Sequence, residues 1–216
     1  EQRRGLFHKT QWSSQPVLAG LSCPERPQIC NNPAVPTDVI GQVASASVAD
    51  IDLALQTATA WTATPLERCE TLKRAANLFE KNDGELFALL TREAGKTLPD
   101  TVSELREAVD FLRYYAGEIH QAPALGVVTC ISPWNFPLAI FTGQIAAALA
   151  AGNAVLAKPA NQTPLIAYFA TCLLHQAGVP RSALQLLPGD GTVGAALTGS
   201  ARVDGVAFTG STQTAK

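Results

Sequence analysis

From Leu125 onward the chain repeats one unit: a short apolar run, a polar or glycine-rich break, then a longer helical stretch. Leu125 to Ser132, Ala154 to Ala157, Leu184 to Leu187 and Val203 to Phe208 are the apolar runs. Pro137 to Ala151, Thr163 to Gly178 and Thr192 to Leu197 read as the helices between them. Runs that are apolar at nearly every position, not only at alternate ones, belong to strands covered on both faces. A parallel sheet is the simplest solution, because two parallel strands need a crossover long enough to hold a helix. The expected fold is therefore α/β, with N-terminal helices followed by a Rossmann-like parallel sheet. In such sheets ligands bind beyond the carboxyl ends of the strands.

The upstream part has a different rhythm. Pro16, Pro24, Pro27, Pro33 and Pro36 among scattered polar residues read as an irregular N-terminal arm over residues 1–46, with one or two short strands. Helices fill residues 47–124. Ser47 with Asp50 matches a capping box ahead of a helix near 48–61, and Thr64, Pro65 and Glu67 mark the next start. Asn82-Asp83-Gly84 breaks that helix, Glu85 to Glu93 restarts one that Gly95 stops, and Pro99 opens a long helix carrying Leu105, Val109 and Leu112. These helices read as a scaffold without a catalytic constellation. Residues 125–216 then form the sheet-containing part, cut short at its C-terminal end.

Composition excludes several partner classes. A net charge of −2, from 16 Lys+Arg against 18 Asp+Glu, gives no basic field for nucleic acid or an anionic membrane surface. The longest apolar stretches fall far short of the roughly 20 residues that span a bilayer. Cys23, Cys30, Cys69, Cys130 and Cys172 are irregularly spaced with no Cys-x-x-Cys pair, which predicts no metal site and fits a reducing, cytoplasmic setting. The sequence contains no methionine and stops just after a motif that opens a helix, which suggests an internal piece of a longer polypeptide.

The four strand ends carry Ser132-Pro133-Trp134-Asn135-Phe136-Pro137, Lys158-Pro159-Ala160-Asn161, Pro188-Gly189-Asp190-Gly191 and Thr209-Gly210-Ser211-Thr212. Polar or glycine-rich residues thus stand at every place where a ligand should lie. Gly189-x-Gly191-x-x-Gly194 matches the letter of a pyrophosphate fingerprint, but a proline lead-in, a short following helix and no acidic residue about 20 positions on weaken that reading. Gly210-Ser211-Thr212 offers the alternative, a glycine turn opening a helix whose free N–H groups face a phosphate. Asn135 reads either as an amide donor to an oxyanion or as a cap for the helix beginning near Pro137.

These segments, with Ala150-Ala151-Gly152-Asn153, Gln162-Thr163-Pro164 and Ala177-Gly178-Val179-Pro180, resemble the aldehyde dehydrogenase superfamily in order and spacing. Cys130 to Phe141 and Arg92-Glu93-Ala94-Gly95-Lys96-Thr97 look closest to the L-glutamate γ-semialdehyde dehydrogenase module of the bacterial proline utilization A family. The resemblance implies NAD-dependent oxidation of an aldehyde to an acid, with L-glutamate γ-semialdehyde as the substrate. It makes Asn135 the oxyanion donor, worth about 3 to 4 kcal/mol to the transition state. It assigns the cofactor to Ile131, Ser132, Pro133, Trp134, Lys158, Pro159, Ala160, Asn161, Gly189, Gly194, Phe208, Thr209, Gly210, Ser211 and Thr212. Lys158 would bond the adenosine ribose, Gly189 and Gly194 would lie near the adenine, and Gly210-Ser211-Thr212 would hold the pyrophosphate. Asn161 stands where NAD-preferring members usually carry glutamate, so NADP is not excluded. No cysteine has the context of the family nucleophile, and that residue and the deacylating glutamate fall beyond Lys216. The chain alone is therefore expected to be inactive. The implied partners are the small aldehyde, the rest of the same polypeptide and further copies in a homo-oligomer, with FAD only where a proline dehydrogenase domain lies upstream. The alternatives are another semialdehyde dehydrogenase, a conventional Rossmann reductase using Gly189 to Gly194, and a non-catalytic interaction module.

Overall fold

The computed structural model describes residues 2–118 and 123–215. The segment limits at Glu1 and Lys216, and residues 119–122 just ahead of the expected 124/125 boundary, lie outside the described residues. The chain opens with a short helix, α1 (Gln2–Gly5), and three strands, β1 (Trp12–Ser14), β2 (Gln28–Asn32) and β3 (Val35–Val43). These strands form one sheet in the order β1-β3-β2, so the arm holds three strands where one or two short ones were expected. The prolines that suggested irregularity are accommodated locally. Pro33 occupies the turn between β2 and β3, where the Ala34 N–H donates to Asn32 Oδ1 at 3.0 Å. Pro36 lies in a bulge between the paired positions Val35 and Val39, so its missing N–H costs no ladder bond.

Four helices follow: α2 (Val48–Thr57), α3 (Pro65–Lys81), α4 (Asp83–Arg92) and α5 (Leu98–Gly117). Both expected capping boxes form, at Ser47 with Asp50 and at Thr64 with Glu67. α2 ends before the expected residue 61 because tertiary pairing takes over, with Thr59 N–H donating to Ser182 O and Trp61 N–H to Gly152 O. Gly95 ends the turn after α4 at φ +66°, a left-handed conformation that favours glycine. Leu72 and Phe79 of α3 and Leu112 of α5 are fully buried in the shared core.

The second half alternates as the apolar runs predict. In order come β4 (Val127–Ile131), α6 (Ala139–Ala150), β5 (Ala154–Lys158), α7 (Pro164–Ala177), β6 (Leu184–Leu186), α8 (Gly191–Thr198), β7 (Gly205–Phe208) and α9 (Thr212–Ala215). The strands pair in parallel in the order β6-β5-β4-β7. Helices α6 and α7 join the core of α3 to α5, whereas Val193 and Leu197 of α8 pack with Ile51 and Ala54 of α2 in a second cluster. The chain steps outward from β4 to β6, then returns to the far side of β4 to lay down β7. That reversal makes the β4/β7 junction the switch point, where the loops leaving the two strands part and open a crevice.

Candidate functional site

The strand register brings most of the predicted residues to one end of the sheet. Ile131 stands opposite Lys158 on one side and Phe208 on the other. Beyond them, Ser132 N–H donates to Lys158 O at 3.3 Å and Thr209 N–H to Ile131 O at 3.0 Å. Gln144 Nε2 donates to Thr209 Oγ1 at 2.9 Å, fixing the loop after β7 to α6. The Asn135 loop and Gly210-Ser211-Thr212 therefore leave from adjacent strands. The Gly210 backbone packs closely on the Phe208 ring, whose tip would lie 2.7 Å from a Cβ placed there. Ser211 caps the short α9, its Oγ accepting from Thr214 N–H at 3.2 Å.

The Asn135 loop is anchored at its ends and projects in the middle. Ser132 and Pro137 are buried flanks, while Trp134, Asn135 and Phe136 are exposed. No hydrogen bond from the Asn135 side chain is formed among the described residues, and α6 carries no side-chain cap of its own. The first free N–H groups of α6, on Leu138 and Ala139, instead donate to Glu104 Oε1 of α5 at 2.8 and 3.2 Å. The capping role open to Asn135 on sequence alone is thus filled from elsewhere, and its amide is available to a ligand. The second oxygen of Glu104 lies 2.6 Å from Lys96 Nζ, and that ammonium sits 4.1 Å from the Phe136 ring centroid.

An equivalent device starts α7. Thr163 makes no side-chain cap, and Leu165 and Ile166 N–H donate to the two carboxyl oxygens of Glu93 at 2.7 and 2.9 Å. Full burial pushes the Glu93 pKa up to about 8, against the pull of those two donors. Sequence reading treated Glu93, Lys96 and Glu104 as scaffold. The signal was present, because Glu104 shares a helical stripe with Ala108 and Leu112, and Glu93 one with Leu86 and Leu90. A carboxylate on an apolar stripe must find a partner.

Lys158 ends β5 with only 7% of its surface exposed, and it has no ion pair or hydrogen bond from its side chain among the described residues. Burial holds its pKa below the ordinary lysine range, with the Asp190 carboxylate opposing the shift. Gly194 of α8 borders the same point, since a Cβ there would lie 3.8 Å from both Lys158 Cδ and Ile131 Cδ1. Pro159 and Ala160 continue from β5 into a turn. Asn161 and Gly189 line a cleft of about 320 Å³ together with Asp190 and Thr192, faced by Glu25 and Gln28 from the N-terminal segment. The N-terminus of α8 is already occupied: Asp190 caps it, accepting from Thr192 N–H at 2.9 Å and Thr192 Oγ1 at 2.6 Å. Those bonds hold its carboxyl below the usual range, so a phosphate placed there would meet a negative charge.

Burial raises the thiols of Cys30, Cys130 and Cys172, pushing Cys130 up to about 12 and Cys30 up to about 11. A thiolate nucleophile needs the opposite environment.

The sheet thus carries a projecting asparagine loop at its switch point and a desolvated lysine at the end of the neighbouring β5, and sequence comparison places the chain in a family. The model of the aldehyde dehydrogenase family matches residues 22–216, and the chain belongs to that family. Among curated relatives, the bifunctional protein PutA of Escherichia coli is 55% identical over 93% of the chain, which spans 16% of that protein. The 1-pyrroline-5-carboxylate dehydrogenase of Anoxybacillus flavithermus is 40% identical over 83% of the chain, which spans 40% of it. Among solved structures, a 1-pyrroline-5-carboxylate dehydrogenase from Thermus with bound NAD superposes with a TM-score of 0.84 at 30% identity, covering 94% of this chain and 45% of that one. A bifunctional proline utilization A crystal structure gives 0.75 at 47% identity, covering 80% and 20%. The chain thus corresponds to less than half the length of these relatives.

Proposed function

We propose that a polypeptide containing this chain oxidises an aldehyde to a carboxylic acid with NAD as hydride acceptor, and that the aldehyde is L-glutamate γ-semialdehyde. The observation that carries the reading is the convergence of the Asn135 loop, Lys158 and Gly210-Ser211-Thr212 at one end of the sheet. The donor set suits a dinucleotide. Lys158 is a buried cation without an acceptor among the described residues, which matches a ribose hydroxyl. The loop from Ile131 to Trp134 and the Phe208-Thr209 strand end flank the nicotinamide half, and Gly210 to Thr212 supply N–H groups to pyrophosphate. The adenosine half falls to Lys158, Pro159, Ala160, Asn161, Gly189 and Gly194. Asn161 leaves room for a 2′-phosphate, but Asp190 and Glu25 share its cleft and oppose added negative charge, which favours NAD over NADP.

In this reading NAD supplies the redox chemistry when bound, and the chain's own residues orient it and stabilise charge. Asn135 donates its side-chain N–H to the oxygen of the attacked aldehyde, where a preorganised donor contributes about 3 to 4 kcal/mol. The nucleophilic cysteine and the glutamate that activates water belong to the other half of the polypeptide. Titration calorimetry on this chain with NAD and NADP tests the cofactor assignment. Gly191→Ala distinguishes it from pyrophosphate binding at Gly189 to Gly194. A Cβ at 191 meets no protein atom within 4 Å, so the variant should keep its NAD affinity. Loss of binding would favour the rival site. Steady NADH formation by the 216-residue chain alone with the semialdehyde would overturn the division of labour.

A further inference from the structure

We infer that the ion pair between half-buried Lys96 and buried Glu104 positions the Asn135 loop for the oxyanion step, an assignment that rests on the aldehyde-oxidation reading above. The loop has few anchors of its own. Its three middle residues are exposed, and the helix it enters has no side-chain cap. Glu104, 1% exposed, grips the backbone immediately after the loop through Leu138 and Ala139 N–H. Lys96 grips the loop itself by standing 4.1 Å from the Phe136 ring centroid, one residue from Asn135. The two grips are joined by the 2.6 Å contact between Lys96 Nζ and Glu104 Oε2.

Each partner needs the other. Glu104 meets the lysine with one carboxyl oxygen and the N–H groups of α6 with the other, and hydrogen bonds that involve charged partners are shorter and stronger than neutral ones. Lys96 is in turn fixed by the left-handed Gly95 before it and by its own N–H, which donates to Leu90 O at 3.2 Å. An amide that must meet a developing charge has to be held to about 0.5 Å, and this pair is the device that spans from scaffold to loop. Neither residue touches substrate or cofactor in this scheme, so both are positioning residues.

The test uses Lys96→Met, Glu104→Gln and Lys96→Arg in two settings. In the complete enzyme, Lys96→Met and Glu104→Gln should lower kcat about tenfold or more while the KM for glutamate semialdehyde and the Kd for NAD stay within about twofold. Lys96→Arg keeps the cation and should recover most of kcat. In the 216-residue chain, amide exchange at Leu138 and Ala139 should speed up about tenfold or more in the first two variants. Wild-type kcat in a folded Lys96→Met enzyme, an equal loss of NAD affinity, or an arginine variant no better than methionine would each overturn the inference. If Glu104→Gln does not fold, Lys96→Met with Glu104→Gln removes both charges together and reads the same quantities. If the wild type oxidises no aldehyde, the functional reading falls, and unchanged amide exchange in the variants would then also sink the positioning claim.

Discussion

Replacing Lys158 by methionine should make the chain more stable and a poorer NAD binder at the same time. The residue is 7% exposed and its side chain has no hydrogen-bond or ion-pair partner among the described residues, so the folded state carries a desolvated ammonium that the unfolded state solvates. Asp190 returns part of that cost through its charge, which limits the gain on removal. A net stabilisation of about 1 kcal/mol is expected, equivalent to roughly 2–4 °C in a chain of this size. The pH dependence has a definite sign. Unfolded Lys158 binds its proton near the ordinary value of 10.5 and the folded chain binds it less tightly. The penalty is therefore absent above that value and grows as pH falls through the lowered folded pKa. Wild type should gain stability on moving from neutral into alkaline solution, and the methionine variant should lack that component. For NAD, the lost charge-assisted hydrogen bond is worth about 1.5–3 kcal/mol, a weakening of roughly 10- to 100-fold. Thermal melts followed by circular dichroism and NAD calorimetry on the same samples give both readings. Unchanged NAD affinity in the folded variant, or a lower Tm, would refute the reasoning.

Three further outcomes follow from groups outside the crevice. Glu93→Gln should flatten stability against pH: with a folded pKa of about 8 against an ordinary 4.5, wild type has the full contribution below 4.5 and loses it as pH rises through 8. Urea titrations at the two ends of that range would show it, on top of about 1–3 kcal/mol lost because an amide cannot accept from both Leu165 and Ile166 N–H. Arg92→Met should cost about 2 kcal/mol and speed proteolysis within the first dozen residues, because Arg92 donates to both Asp38 oxygens, Phe7 O and Thr10 O and lies over the Trp12 ring. Thr64→Ala removes half of a capping box and should cost about 1 kcal/mol by denaturant unfolding.

The parts of this fold that the sequence announces are those whose causes are local. The boxes at Ser47 and Thr64, the glycine stops at Gly95 and Gly178, and the apolar strands each depend on residues within a few positions of one another. The residues at the strand ends were legible for the same reason, since a parallel sheet delivers all its carboxyl ends to one side. What escaped depends on distant partners. The β1-β3-β2 sheet is mostly exposed and polar, so no periodic apolar signal marks it, and β1 meets β3 about thirty positions away. The Glu93 and Glu104 caps act across 72 and 34 positions, and spacing alone cannot distinguish such a carboxylate from a solvated one. The Asp190 cap was hidden by the glycine pattern around it, which matches the letter of a phosphate fingerprint where the folded chain has placed a charge of the same sign.

Because α6 and α7 both start on carboxylates contributed by the upstream helices, the parallel sheet is not a self-sufficient module. A polypeptide begun at residue 125 would contain every strand of that sheet, yet its two longest crossover helices would open on N–H groups with no acceptor. The helical scaffold and the sheet should therefore melt together as one cooperative unit. Evolutionary or engineered recombination at the junction between them would have to carry Glu93 and Glu104 along.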